Sequence, residues 1–287
     1  MPTLTYTIGI DIGGTKMSAV LFNGNKTIAD YVLATPKDTL EHFIIMLQAL
    51  VEPLMERAKE DKAKVAGIGM GVAGVLDYRE GSVLLSPNIP LINNQKIAAI
   101  LSEKIGTPVI MDNDANCFAR AEALLGAGKG YKNVYGIIVG TGIGGGWWVN
   151  DGIYLGSHGG AGEPGAMVIN AETKVGLEEA FHKLTQNSPA SMAEEAFRGD
   201  VLAQKAFDEF GQILGVAFAN IVNLIDPEII VIGGGVIESS ELFLAKVKKI
   251  MRDLIESSEA KKIKIAKSKL GALSGAIGAA LLTSHNT

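Results

Sequence analysis

Asp11, Thr15 and Lys16 stand close together around the pair Gly13-Gly14. A carboxylate, a hydroxyl and an ammonium on a glycine turn suit a polyphosphate with its Mg²⁺. Backbone N–H groups, the hydroxyl and the lysine would meet phosphoryl oxygens, and Asp11 would face the hydrated metal. The flanking runs, Thr7-Ile8-Gly9-Ile10 and Ser18-Ala19-Val20-Leu21-Phe22, are apolar and rich in strand formers, so this stretch reads as the tip of a hairpin. Its glycines allow positive φ and close approach of a ligand to backbone. A tight hairpin without a ligand is the other reading.

A second strand–glycine turn–strand unit follows. Val134 to Val139 enters Gly140-Thr141-Gly142-Ile143-Gly144-Gly145-Gly146, and Trp147-Trp148-Val149-Asn150 leaves it before a turn at Asp151-Gly152. Both turns hold a threonine, and a repeat at this separation implies two similar halves rather than a solenoid. Gly140, Gly142 and Gly145 also fit the dinucleotide-binding pattern G-x-G-x-x-G. That pattern needs a helix to open at its third glycine, whereas β-prone residues follow here, so it is rejected.

Asp112-Asn113-Asp114-Ala115-Asn116-Cys117 lies between a short strand (Pro108 to Met111) and a helical pattern (Phe118 to Leu125). Asn and Asp there are ordinary helix caps. More polar side chains stand there than one cap uses, however, and ligands of α/β sheets bind at the carboxyl ends of strands. Asp114 is placed to accept a proton from a substrate hydroxyl. The loop Gly156 to Gly165 carries one acid, Glu163, and Gly176-Leu177-Glu178-Glu179 opens a helix. Acids at a helix start also commonly complement its dipole. Gly233-Gly234-Gly235, between a buried strand and an expected helix from Ser239 to about Ser257, lets a flat ligand lie against backbone or forms a plain turn.

The elements that must position these groups alternate. A helix is expected over Thr39 to Lys59 with Pro53 as a kink, a strand over Val65 to Val72, and a rigid loop at Ser86-Pro87-Asn88. Helices are expected over Gln95 to Lys104, Ser191 to Arg198 and Asp200 to Leu224, and an Ala/Gly-rich one closes the chain from Gly271. The pattern is α/β with crossover connections. The 287 residues suffice for about two domains. A net charge of −5 argues against nucleic acid as a main partner, and the basic run from Lys261 to Lys269 alternates as a strand with a solvated face. The one cysteine, Cys117, excludes intramolecular disulfides and a cysteine-rich zinc site and fits a reducing compartment. The start lacks a basic n-region, and no apolar run reaches membrane-spanning length. A cytoplasmic protein without a membrane partner is expected.

The chain resembles sugar kinases of the ROK family (repressors, open reading frames and kinases), closest in kind to bacterial glucokinases. Asp11-Ile-Gly-Gly-Thr-Lys16, Gly71-Val-Ala-Gly-Val-Leu-Asp77, Pro87-Asn88, Asn113-Asp114-Ala-Asn116, Gly140-Thr-Gly-Ile-Gly-Gly145, Ala161-Gly-Glu163 and Ile232-Gly-Gly-Gly235 carry the resemblance over nearly the whole length. It implies the two-lobed actin/hexokinase-like (ribonuclease H-like) fold, with a smaller lobe over 1–112, a larger one over 113–270, and a helix at about 271–287 returning to the first. It implies ATP-dependent phosphorylation of a hexose, glucose first, with mannose, fructose or an N-acetylhexosamine as alternatives. Asp114 would be the base at the 6-hydroxyl. Asn88, Asn113, Glu163 and Glu179 would bind the other hydroxyls, with Gly74 beside them. Gly13, Gly14, Thr15, Lys16, Thr141 and Gly142 would hold the ATP phosphates, Asp11 would stand near Mg²⁺, and Gly234 and Gly235 would border the adenosine. A homodimer is the family expectation.

Family members usually carry Glu-x-Gly-His before a cysteine-rich zinc motif. Here Ala166 replaces the histidine and no cysteine lies between Asn170 and Glu179, so no structural zinc is expected. The lost histidine leaves the hexose open, and a degenerate sugar pocket in a non-catalytic sensor is the competing reading. The family's repressors carry an N-terminal helix-turn-helix domain, for which the early first strand leaves no room.

Overall fold

The computed structural model describes residues 4–186 and 188–283. Residues 1–3 and the end of the helix expected at about 271–287, from 284 onward, lie outside them. The first half comprises β1 (Thr5–Ile12), β2 (Lys16–Phe22), β3 (Thr27–Ala34), α1 (Leu40–Glu60), β4 (Lys64–Val72), the hairpin strands β5 (Val75–Asp77) and β6 (Ser82–Leu85), α2 (Ile97–Ile105) and β7 (Val109–Asn113). The second comprises α3 (Asp114–Leu124), β8 (Asn133–Val139), β9 (Ile143–Val149), β10 (Gly152–Ile153), β11 (Val168–Asn170), β12 (Val175–Gly176), α4 (Leu177–Thr185), α5 (Pro189–Phe197), α6 (Val201–Ile225), β13 (Ile229–Gly233), α7 (Leu244–Leu254), β14 (Lys264–Lys267) and α8 (Ser274–Leu282).

Two five-stranded sheets have matching topologies, β3-β2-β1-β4-β7 and β10-β9-β8-β13-β14. In each, an antiparallel meander supplies three strands and two parallel strands follow through helical crossovers. The duplication expected from the two glycine hairpins is therefore a property of the whole α/β fold. The inner parallel strands are the covered ones, as burial on both sides requires: Gly67 to Val72 of β4 and all five residues of β13 are buried, whereas the edge strand β14 keeps exposed lysines.

α8 is apolar or small at nearly every position, and eight of its nine residues are buried. It lies against β1, β4 and α3. Small residues permit that approach, since a β-carbon at Gly69 would run into the Ala279 carbonyl and one at Gly9 into that of Ala276. Gly69→Ala is expected to cost ~1–3 kcal/mol through overpacking against backbone that cannot yield. The midpoint of chemical denaturation measures it.

The local elements differ from the sequence expectation in three places. α1 continues through Pro53 as one helix. α2 begins at Ile97, because Gln95 bridges to Val83 instead. The helix expected from Ser239 is divided: Gly235–Leu242 is 3₁₀, with Ser239 outside helical geometry, and α7 starts only at Leu244. β-branched Val236 and Ile237 and the pair Ser239-Ser240 are weak helix formers, which accounts for the break. No described helix is long and apolar enough to cross a membrane.

Candidate active site

The carboxyl ends of β1, β4 and β7 and the two glycine hairpins converge. Asp11 is the penultimate residue of β1, near Lys16, and its carboxylate rests against Gly275 at the start of α8, where a β-carbon would lie 2.6 Å from Oδ2. Asp114 opens α3 immediately after β7. It is near enough to Asp11 to raise the latter's pKa, and Glu163 in turn feels both Asp114 and Glu178. The line Asp11, Asp114, Glu163, Glu178 runs from the first hairpin to the second.

Both hairpin tips are held from outside. Neither Gly13 nor Gly14 has positive φ, so their expected conformational freedom is not what the turn uses. Gly14 is required by proximity, since a β-carbon there would lie 2.6 Å from Asn88 Cβ. The first tip therefore sits on the loop that carries Asn88. Thr15, Lys16 and Thr141 are exposed on the tips. In the second, Glu178 accepts the Ile143 N–H, His182 Nε2 donates to the Thr141 carbonyl at 2.6 Å, and a β-carbon at Gly142 would lie 2.5 Å from Glu178 Oε2.

The Asn-Asp-Ala-Asn stretch divides between capping and chemistry. Asn113 Oδ1 accepts from the N–H groups of Ala115 and Asn116 at 2.9 and 3.2 Å, and Nδ2 donates to the Gly74 carbonyl at 3.0 Å. It is a helix cap, with one Nδ2 proton left for a ligand. Asp114 is half-buried, and its carboxyl pKa is pushed up to about 6, chiefly by burial; backbone N–H groups oppose that shift and the Asp112 charge adds to it. Asp11 is pushed up to about 7 by burial and the Asp114 charge, against the pull of Lys16. Glu163 is raised by burial, then by Asp114 and Glu178. An acid poised near neutrality beside other acids is a general-base candidate.

Beneath Asp114 lies a network that the sequence reading missed. Asp112 is buried and pairs with Arg120 at 2.7 Å. Tyr78 Oη and Asn116 Nδ2 each donate to Asp112 Oδ1 at 3.0 Å, and the Asn113 N–H does so at 2.8 Å. These contacts tie the β5–β6 hairpin to the β7–α3 junction and so fix the backbone that presents Asp114.

Glu179 is not brought to the site. It is 57% exposed and pairs with Lys183 at 2.6 Å, while Glu178 faces the second hairpin. Leu177, Phe181 and Thr185 are the buried face of α4. At about 100° per residue, position 178 flanks that face and 179 points away, so helical periodicity could have separated the two acids. Gly234 has φ of 90° and packs on the Val139 carbonyl, while a β-carbon at Gly235 would meet nothing within 4 Å. Among the described residues no group of three or more His, Cys, Asp or Glu side chains could hold a metal ion. The oxygen donors Asp11 and Asp114 do fit a hydrated Mg²⁺ completed by phosphate oxygens and water.

A sequence model of the ROK family matches residues 7–286. An N-acetylgalactosamine kinase of a Shewanella species is 32% identical over 96% of this chain and 95% of its own length. An N-acetyl-D-glucosamine kinase of Photobacterium profundum is 32% identical over 96% of this chain and 98% of its own. Among solved structures, a ROK family glucokinase from Streptomyces griseus in complex with glucose and AMPPNP superposes with a TM-score of 0.81. It is 27% identical and covers 96% of this chain and 98% of that one.

Proposed function

This chain belongs to the ROK family, and from that premise we propose that it transfers the γ-phosphoryl group of Mg-ATP to the 6-hydroxyl of a hexose, with Asp114 as the base. The chain is a sugar kinase of ROK type. The observation that carries the finer reading is Asp114 itself: a half-buried carboxyl that follows the carboxyl end of β7, its pKa pushed up to about 6, between a glycine turn bearing Thr15 and Lys16 and a second bearing Thr141. Glucose, named first from the sequence, now stands beside the N-acetylhexosamines, because relatives acting on the latter align over nearly the whole chain.

In this reading the sugar lies against Asn88, Asn113 and Glu163, with Glu178 taking the part first given to Glu179. Gly74 holds Asn113 through its carbonyl. Sites that hydrogen-bond hydroxyls discriminate strongly, because an analogue lacking one leaves buried polar groups unpaired. Gly13, Gly14, Thr15 and Lys16 on one side, and Thr141 and Gly142 on the other, clamp the phosphates, while Gly234 and Gly235 border the adenosine. Asp11 would hold Mg²⁺, which when bound would supply charge neutralisation at the transferring phosphoryl group. Asp114 Oδ accepts the proton of the 6-hydroxyl as the new O–P bond forms and the bond to the ADP oxygen breaks. Closure of the lobes formed by residues 1–112 and 113–270 would exclude water and limit hydrolysis of ATP.

The test is ADP release with Mg-ATP over glucose, mannose, fructose, N-acetylglucosamine and N-acetylmannosamine. Turnover that requires a sugar is expected. Sugar binding by calorimetry with no ADP release on any of them would assign the chain to sensing instead.

A further inference from the structure

At the tip of the second glycine hairpin, glycines flank Thr141 on both sides, so little in the chain itself fixes how its peptides are turned. The hydrogen bonds there show which backbone groups are already used. The Gly140 N–H donates to the Gly142 carbonyl at 2.9 Å, and Glu178 accepts the Ile143 N–H. The Thr141 carbonyl accepts from His182 Nε2 at 2.6 Å. A carbonyl can only accept, so Nε2 carries the ring proton. Among the described residues, the Thr141 hydroxyl and the N–H groups of Thr141 and Gly142 have no partner. These are the donors the tip has left for a ligand.

One peptide links two of these facts. A planar trans peptide points its C=O and its N–H in opposite directions, and the Thr141 carbonyl and the Gly142 N–H belong to the same one. With the oxygen held on α4 by His182, the Gly142 N–H is directed away from α4. Rotated by half a turn, the peptide would offer a carbonyl oxygen where the N–H now stands, and that oxygen would repel an anion. The post that holds it is firm. α4 is seated in the core by Leu177 and Phe181, both fully buried, and the Phe181 ring lies 4.6 Å from that of Phe210. Glu178 and His182 are four residues apart on one face of this helix, and together they hold the tip at Ile143 and Thr141.

We propose that His182 is a positioning residue for the phosphoryl donor: by holding the Thr141 carbonyl, it aims the Gly142 N–H at a phosphate of the bound nucleotide. The inference rests on the sugar-kinase reading of the cleft, in which Thr141 and Gly142 grip the donor. His182 needs no contact of its own with the sugar or the reacting atoms. The hydrogen bond it gives to the carbonyl also polarises the peptide, which makes the N–H at the other end a stronger donor.

The test is calorimetric titration of Mg-AMPPNP and, separately, of glucose and N-acetylglucosamine. The proteins are the wild type, His182→Ala, His182→Gln and His182→Asn, with thermal melts confirming that each folds. Glutamine can place an amide N–H about where Nε2 stands, whereas asparagine is too short to do so. His182→Ala should bind Mg-AMPPNP about tenfold or more weakly, as expected for one hydrogen bond to a charged group, with sugar affinity within about twofold of wild type. His182→Gln should restore nucleotide affinity to within about threefold, and His182→Asn should not. An alanine variant that binds Mg-AMPPNP as well as the wild type would overturn the proposal. So would equal weakening for nucleotide and sugar, or equal rescue by glutamine and asparagine. A wild type that binds sugar but no Mg-AMPPNP would remove the donor reading and the positioning role with it. One that binds Mg-AMPPNP but neither sugar, with the alanine loss and glutamine rescue intact, would count against the sugar-kinase reading and leave the role of His182 standing.

Discussion

Asp114→Asn is expected to lower kcat by ~10²–10⁴-fold with little change in the KM for ATP, because the variant keeps the shape of the site and loses the proton acceptor. In the wild type, kcat/KM should fall about tenfold per pH unit below about 6, the pKa of the Asp114 carboxyl, since the protonated acid cannot take the proton of a hydroxyl. The same substitution has an opposite effect on stability. A carboxyl whose pKa is higher folded than unfolded binds its proton more tightly in the native state. The stability this contributes is full below about pH 4 and is lost as pH rises through about 6. At pH 8 the wild type carries the whole cost of an ionised, half-buried acid, up to about 3 kcal/mol for a shift from 3.8 to about 6. Asp114→Asn should therefore melt higher than the wild type at pH 8 and show no such gain at pH 4. Parallel pH–rate profiles and thermal melts read both effects; unchanged turnover in the asparagine variant would remove Asp114 from the chemistry.

Arg120→Met carries the second large expectation. Arg120 and Asp112 have side chains only 11% and 6% exposed. Removing the guanidinium leaves a buried carboxylate with neutral donors alone, and breaking such a pair typically costs ~3–5 kcal/mol. The double variant Arg120→Met with Asp112→Asn should recover a good part of that loss, because it removes the orphaned charge rather than its partner. Denaturant midpoints for the two singles and the double separate these contributions. If Arg120→Met were as stable as the wild type, the network beneath Asp114 would not be what fixes the β7–α3 junction.

The parts of this fold legible in the sequence are those with local causes. Strand, glycine turn and strand fall within about 18 residues at each hairpin, and the repeat of that unit carries the matching topology of the two sheets. Asn113 is open to two readings in the sequence, as a cap and as a ligand group, and its hydrogen bonds show that it serves as a cap while keeping one proton free. Glu178 and Glu179 are confused in the sequence because adjacent acids look alike until the helix they open has a known buried face. The Tyr78–Asp112 contact spans 34 residues, and nothing in the spacing of either residue announces the other. The glycines show the same division. Sequence marks Gly14 and Gly142 as turn residues, but their cause is the side chains they face, Asn88 and Glu178, which only the tertiary fold brings there.

The most direct measurement of the central claim is the position of the phosphate. The protein, Mg-ATP and the best sugar from the panel would be incubated together and the product assigned by NMR, with the matching 6-deoxy sugar run alongside. Phosphate on O6, and no ADP released with the 6-deoxy analogue, is the result predicted. Phosphate on another oxygen, or transfer that continues with the 6-deoxy sugar, would contradict the placement of the 6-hydroxyl at Asp114.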